Sequence, residues 1–314
     1  MAMKILVVGA GSIGGYFGGR LTEAGADVTF LVRPARATAL RRTGLVIKSA
    51  RGDYHHKSPK LVDAASLTAD FDLILLSCKA YDLTGAIADF APAVGPDTLI
   101  LPLLNGISHL DDLDRAFGAA RVLGGQCVIS TVLDPEGRIV HLNEIESLTF
   151  GARDPSQIER VSAITTVFAT ARFATQRSDT IMQDMWEKFV FITSLAGITC
   201  LMRATIGDIV AAGGDTIALA LAGECAAIAA SQGYTLREPA RQRTSTALTA
   251  PGSPLAASML RDIERSGRIE ADHILGTMLA RCPPGAAAPV LRIAYVHVKS
   301  YEAGRAHMIE RAPG

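Results

Sequence analysis

At 314 residues the chain exceeds what one hydrophobic core fills, roughly 250–300 residues, so two domains are expected. Lys plus Arg equal Asp plus Glu at 31 each, which excludes a chain-wide field for nucleic acid or an anionic membrane. The five cysteines, Cys78, Cys127, Cys200, Cys225 and Cys282, are scattered and include no C-x-x-C. They argue against a disulfide framework or a metal site and for reduced, buried thiols.

The first residues, MAMKILVVGAG, run straight into an apolar strand without the basic region and apolar block of a leader, so the cytoplasm is the expected location. KILVV, residues 4–8, is rich in β-branched residues and reads as a strand buried on both faces of a parallel sheet. It leads into G-x-G-x-x-G at Gly9, Gly11 and Gly14, then a helical pattern to Gly25, then DVTFLV as the second strand. That β-turn-α-β context is the one a dinucleotide fingerprint requires. Gly9 makes the tight turn, Gly11 lets the backbone approach a pyrophosphate, and Gly14 lets the helix pack on the strand. The N–H groups of Ser12 and Ile13 at the helix start face the phosphates.

After the second strand, where an acid would hold the ribose 2′-hydroxyl of NAD, stands Arg33, with Arg36 nearby. A guanidinium suits a 2′-phosphate, so NADPH is the expected cofactor. FDLILLSCKAYD (71–82) and TLILPLLNGIS (98–108) each read as a buried strand ending in a polar residue. This places Lys79 and Asn105 at the carboxyl edge of the sheet, where ligands bind in open α/β folds. Both also read as ordinary loop residues, Asn-Gly being a common turn. CVIST, GRIVHL and SLTFGA, between 121 and 151, are expected as three short strands extending the sheet as a meander, with a turn at 134–137. A helix at 157–170 and a strand at 171–175 follow.

Beyond residue 178 the strand signals stop. Helical stretches are expected near 180–202, 215–231, 238–249, 254–266, 269–281 and 289–303, separated by Gly and Pro punctuation. The apolar run at 217–230 is interrupted by Glu224 and too short to span a bilayer, so no membrane partner is expected. The fold class is therefore α/β, a Rossmann-type doubly wound sheet over 1–178 followed by an all-helical domain over 179–314. The cleft between them is the expected substrate site.

WEKFVFITSLAGITCL, 186–201, sets Lys188 on the same helical face as Ile192 and Ala196. Either the lysine snorkels its ammonium to water, or it lines a site and does chemistry there. Further on, Ser258 and Asp262 lie four apart on one helix, Gly267 ends it and Glu270 begins the next; both polar residues also have plain structural readings.

Together these segments resemble the ketopantoate reductase (2-dehydropantoate 2-reductase) family over essentially the whole chain. The resemblance rests on GAGSIGG, CKAYD with Lys79, LLNG with Asn105, WEKF with Lys188, and SMLRDIERSGRIEADHILG with Ser258 and Glu270. It implies NADPH-dependent reduction of a small 2-oxo acid to a 2-hydroxy acid, the pantothenate-pathway reaction. It also implies that Lys188 donates the proton to the carbonyl oxygen, that Glu270 hydrogen-bonds the substrate and helps hold the lysine, and that Asn105 contacts the substrate and nicotinamide region. Lys79 would help define the cofactor site, and Ser258 would bind near the substrate carboxylate. An ammonium aimed at a developing alkoxide stabilises the transition state more than the ground state, which is a reason for the lysine.

The chain also departs from the family. Where its members typically carry four asparagines, this sequence has Ile192, Ala196, Ile206 and Leu255. Losing hydrogen-bonding groups favours a more apolar 2-oxo acid, branched or aromatic. Two other readings stand beside this one: true ketopantoate reduction with Thr193, Ser194 or Thr199 taking over the lost contacts, and a non-catalytic NADPH-binding sensor. The apolar helical domain suggests a homodimer.

Overall fold

The computed structural model describes residues 2–311 and divides into two compact units. One comprises the chain up to Leu104 together with His109–Met182, and the other Asn105–Ser108 together with the chain from Gln183 onward.

The first unit is built on a parallel sheet of β1 (Lys4–Val8), β2 (Asp27–Leu31), β5 (Lys60–Val62), β6 (Leu73–Leu76) and β7 (Leu99–Pro102), in the order β5-β2-β1-β6-β7. Ile5, Leu6 and Val7 are wholly buried, as a central strand covered on both faces requires. Helices α1 (Ser12–Glu23), α2 (Pro34–Thr43), α3 (Leu83–Phe90) and α4 (Ser108–Phe117) follow β1, β2, β6 and β7.

The residues from 121 to 151 do not extend this sheet. They form two long antiparallel strands, β8 (Gly124–Leu133) and β9 (Ile139–Gly151), in a second sheet with β3 (Leu45–Lys48), β4 (Tyr54–His56) and β10 (Ala174–Arg177). The segments expected as two strands lie within one, because β9 pairs with β8 on both sides of its middle, Glu146 opposite Ile129 and His141 opposite Thr131, while residues 142–145 bulge out of the ladder between them. Helix α5 (Ile158–Phe168) precedes β10, which begins three residues later than expected.

Helix α1 lies between the two sheets, and its glycine pairs explain how. A Cβ on Gly18 would sit 2.7 Å from Phe30 of the first sheet. A Cβ on Gly15 would sit 2.5 Å from Ile139 of the second, and one on Gly19 2.7 Å from Ile47. Glycine is a poor helix former, but here it lets two sheets close on one helix.

In the second unit α6 (Ile181–Met202), α8 (Asp215–Ser231), α9 (Glu238–Leu248) and α12 (Pro289–Arg311) match the periodicity. A short α7 (Ile206–Ala211), capped by Thr205, was not foreseen. Helix α10 covers only Ser258–Glu264, because residues 253–257, which include Pro254, form no regular structure. The helix expected over 269–281 opens with a π-helical turn, Asp272–Gly276, and continues as α11 (Thr277–Ala280). Glu270 precedes that turn, its carbonyl accepting from Ile274 N at 3.0 Å. By length and composition α6 is apolar enough to cross a bilayer, but 72% of its most apolar stretch is buried inside the fold, as in a core helix.

Candidate active site

β1 ends at Val8 and the chain turns at Gly9, whose φ of +89° suits glycine, while Gly9 N donates to Leu31 O at 2.9 Å. A Cβ on Gly14 would lie 2.2 Å from Ser77 Oγ and 2.4 Å from Gly9 O, so only glycine lets α1 start this close to the strand. A Cβ on Gly11 would meet nothing within 4 Å. That space is where a pyrophosphate approaches the backbone in this motif. No side chain caps α1 at Gly11 and its first turn holds no acid, so the N–H groups of Ser12 and Ile13 lie at the positive end of the helix dipole without a side-chain cap. The loop fits a nucleotide diphosphate.

Because β2 and β6 flank β1, the residues after all three strands gather at one edge. Arg33 is largely exposed and pairs loosely with Asp82, Nη2 to Oδ1 at 3.5 Å. Lys79, also exposed, caps the turn before α3, its carbonyl accepting from Asp82 N at 2.9 Å. The guanidinium packed on the glycine loop is Arg36. Its Nε donates to Ala10 O and its Nη1 to Gly137 O, both at 2.9 Å, burial pushes its pKa down, and Nη2 is buried without a partner. The sequence signal for Arg36 was its place three residues after Arg33, in the first turn of α2, and Arg33 overshadowed it.

In the helical unit Lys188 is half-buried, and its Nζ donates to Asn105 Oδ1 at 3.1 Å across 83 residues of chain. Asn105 and Gly106, φ +80°, form the turn after β7. On the same turn Asn105 O meets His273 Nε2 at 2.6 Å, and Ser108 Oγ meets His273 Nδ1 at 2.9 Å. His273 was not singled out by sequence reasoning, although it lies three residues after Glu270. Glu270 is half-buried just before the π-helical turn, and Ser258 is exposed at the first turn of α10.

What holds Lys188 in register is the adjacent residue. Glu187 is buried and takes both Nε and Nη2 of Arg237 at 2.7 Å, the Arg237 N–H at 3.0 Å and Gln183 Nε2 at 3.1 Å. Burial works to raise the pKa of Glu187, but these hydrogen bonds outweigh it and hold the carboxyl below its ordinary value. Arg237 also pairs with Asp184, and Trp186 stacks on Tyr234 with ring centres 5.3 Å apart.

The four apolar replacements do not share one environment. Ile192 on α6 and Leu255 in the irregular segment before α10 are half-buried, and Ala196, one turn beyond Ile192, is buried. Ile206 is a correction: its side chain is wholly buried at the start of α7, which Ile206 N anchors to Leu255 O at 2.9 Å, so it belongs to the core. Ser194 and Thr199 donate to their own helix, to Val190 O at 2.8 Å and Leu195 O at 2.6 Å. Thr193 Oγ1 is buried without a partner.

Residues 5–155 match the family model described as ketopantoate reductase PanE/ApbA, and residues 180–302 match that of its C-terminal domain. The chain is 38% identical over 303 residues to the uncharacterized oxidoreductase YkpB of Bacillus subtilis strain 168, covering 96% of this chain and 99% of that one. Among solved structures, 2-dehydropantoate 2-reductase from Geobacter metallireducens GS-15 superposes with a TM-score of 0.86 at 25% identity, covering 95% of this chain and 99% of that one. D-mandelate dehydrogenase, solved with NADH and anilino(oxo)acetate, has the same fold, with a TM-score of 0.86 at 20% identity over 96% and 99% of the two chains.

Proposed function

Since this chain belongs to the ketopantoate reductase family, we propose that it reduces a 2-oxo acid to the 2-hydroxy acid with NADPH, Lys188 supplying the proton. The observation that carries the reading is the Lys188 ammonium held by Asn105 Oδ1 on a largely buried helix that spends its two acids, Asp184 and Glu187, on Arg237. A lysine needed only for solubility would not be seated on a polar turn while its neighbours are locked into packing.

A bound dinucleotide supplies the hydride to the keto carbon. As negative charge grows on the carbonyl oxygen, Lys188 stabilises it and gives up a proton, and Asn105 keeps the ammonium aimed. Gly9, Gly11 and Gly14 with the N–H groups of Ser12 and Ile13 bind the diphosphate. Arg33 and Arg36, with no acid in the ribose position, favour the 2′-phosphate of NADPH over NADH. Glu270 and Ser258 act on the substrate side. The half-buried Ile192 and Leu255 favour a substrate more apolar than ketopantoate, and the reduced thiols suit a cytoplasmic reaction.

The test is NADPH oxidation by the purified protein with ketopantoate beside branched and aromatic 2-oxo acids, repeated with NADH. Faster turnover of a branched or aromatic acid with NADPH is expected. Turnover of ketopantoate alone overturns the apolar assignment, and binding of NADPH with no turnover of any 2-oxo acid overturns the reductase reading in favour of a sensor.

A further inference from the structure

The hydrogen bonds behind Lys188 form a chain within the helical unit. Lys188 Nζ donates to Asn105 Oδ1 at 3.1 Å, His273 Nε2 lies 2.6 Å from Asn105 O, and His273 Nδ1 lies 2.9 Å from Ser108 Oγ. A backbone carbonyl can only accept, so Nε2 carries the proton. In the neutral ring Nδ1 is then the acceptor, and the Ser108 hydroxyl donates to it. One imidazole therefore bridges both ends of the Asn105–Ser108 turn with a fixed tautomer.

Two further features converge on the same ring. A Cβ on Gly106 would stand 3.3 Å from His273 Nε2 and 3.4 Å from Cδ2, so the imidazole lies directly against the turn. His273 is also the second residue of the π-helical turn Asp272–Gly276. Such a turn is rare within helices and is found frequently at functional sites. Asn105–Ser108 belongs to the helical unit although its chain neighbours on both sides belong to the other, and there Asn105 hydrogen-bonds to Lys188 and His273.

We propose that His273 is a positioning residue for the reduction: through the Asn105 carbonyl it fixes the turn that presents Asn105 Oδ1 to Lys188. The role rests on Lys188 being the proton donor. In this role His273 acts through Asn105 and not on the reacting atoms. A displacement of about 1 Å at a catalytic group lowers turnover by as much as about 100-fold, so a loosened turn registers in kcat.

The experiment compares His273→Phe, which keeps a planar ring against Gly106 without either hydrogen bond, with His273→Gln, whose amide N–H can reach the Asn105 carbonyl. Both are run beside Lys188→Ala on the fastest 2-oxo acid of the panel. His273→Phe is expected to lower kcat about 10- to 100-fold with little change in dinucleotide affinity, and His273→Gln to recover most of the loss. Wild-type kcat in His273→Phe with an inactive Lys188→Ala overturns the positioning role alone. Full turnover in Lys188→Ala overturns the reading of Lys188 as the acid. Equal losses in the Phe and Gln variants overturn positioning through the carbonyl. Independently of turnover, nitrogen NMR of the wild-type imidazole is expected to show Nε2 protonated and Nδ1 bare; the opposite tautomer overturns the assignment, as does an unchanged Asn105 side-chain amide signal in His273→Phe.

Discussion

In the N-terminal unit the dinucleotide loop is one unbroken stretch, Gly9–Gly14, whose chemistry lies in backbone N–H groups and in the side chains it lacks. In the helical unit the candidate acid is held by a side chain 83 residues away, on a turn that is itself held by a ring 168 residues further along. A backbone site needs only glycines at fixed spacing and a helix that starts on time. A side-chain site needs several elements to arrive together, and its supporting contacts fall wherever the packing puts them. The two therefore differ in how they fail: the first loses binding when a Cβ appears, the second loses chemistry when a contact is removed.

The largest effect expected from that contrast is in Lys188→Ala, which should lower turnover about 100- to 10,000-fold, the range for removing a general acid, while NADPH binds as before. Stopped-flow hydride transfer beside a fluorescence titration of the cofactor separates the two, and a weakened cofactor with intact chemistry would reverse the contrast. Gly11→Ala probes the backbone site. Gly11 has a negative φ, −77°, and open space at its Cβ position, so thermal stability should stay within about 0.5 kcal/mol while NADPH affinity falls at least about tenfold. Unchanged affinity would mean that the cofactor does not approach the loop there.

Glu187→Gln asks whether the residue beside Lys188 serves packing alone. Hydrogen bonds to a charged group contribute about 1.5–3 kcal/mol, and the half-exposed Arg237 reduces the expected loss to about 1–2 kcal/mol. The folded pKa of Glu187 is lowered, so its contribution is present above the ordinary glutamate value, about 4.3, and is lost as pH falls through the lowered one. Urea midpoints for wild type and variant should differ at pH 7 and converge on the acid side; a gap that instead widened in acid would contradict the ion-pair account. The smallest effect concerns the thiols. Burial pushes Cys200 and Cys225 up to about 12, so in the folded protein at pH 8 both should resist a disulfide reagent that reaches the half-buried Cys78 and Cys282. Rapid labelling of Cys225 in the native state would show the core of the helical unit to be open.

Much of this was legible in the residues alone. The first strand, the glycine loop and the run of helices after residue 178 are local patterns, set by apolar periodicity and by glycine's lack of a Cβ. Lys188 stood out because a charge in an apolar helix is costly without a purpose. Three things came only from tertiary structure. The polar stretch at 142–145 reads locally as a break between two strands, and only the pairing of its flanks with β8 makes them one strand around a bulge. Ile206 looked like a pocket residue by position, but its side chain is wholly buried at the start of α7, where its N–H bonds to Leu255 O in a distant segment. His273 carries no local signal, since an imidazole gains its role from the carbonyl and hydroxyl it bridges, and those groups become its neighbours only when the chain folds.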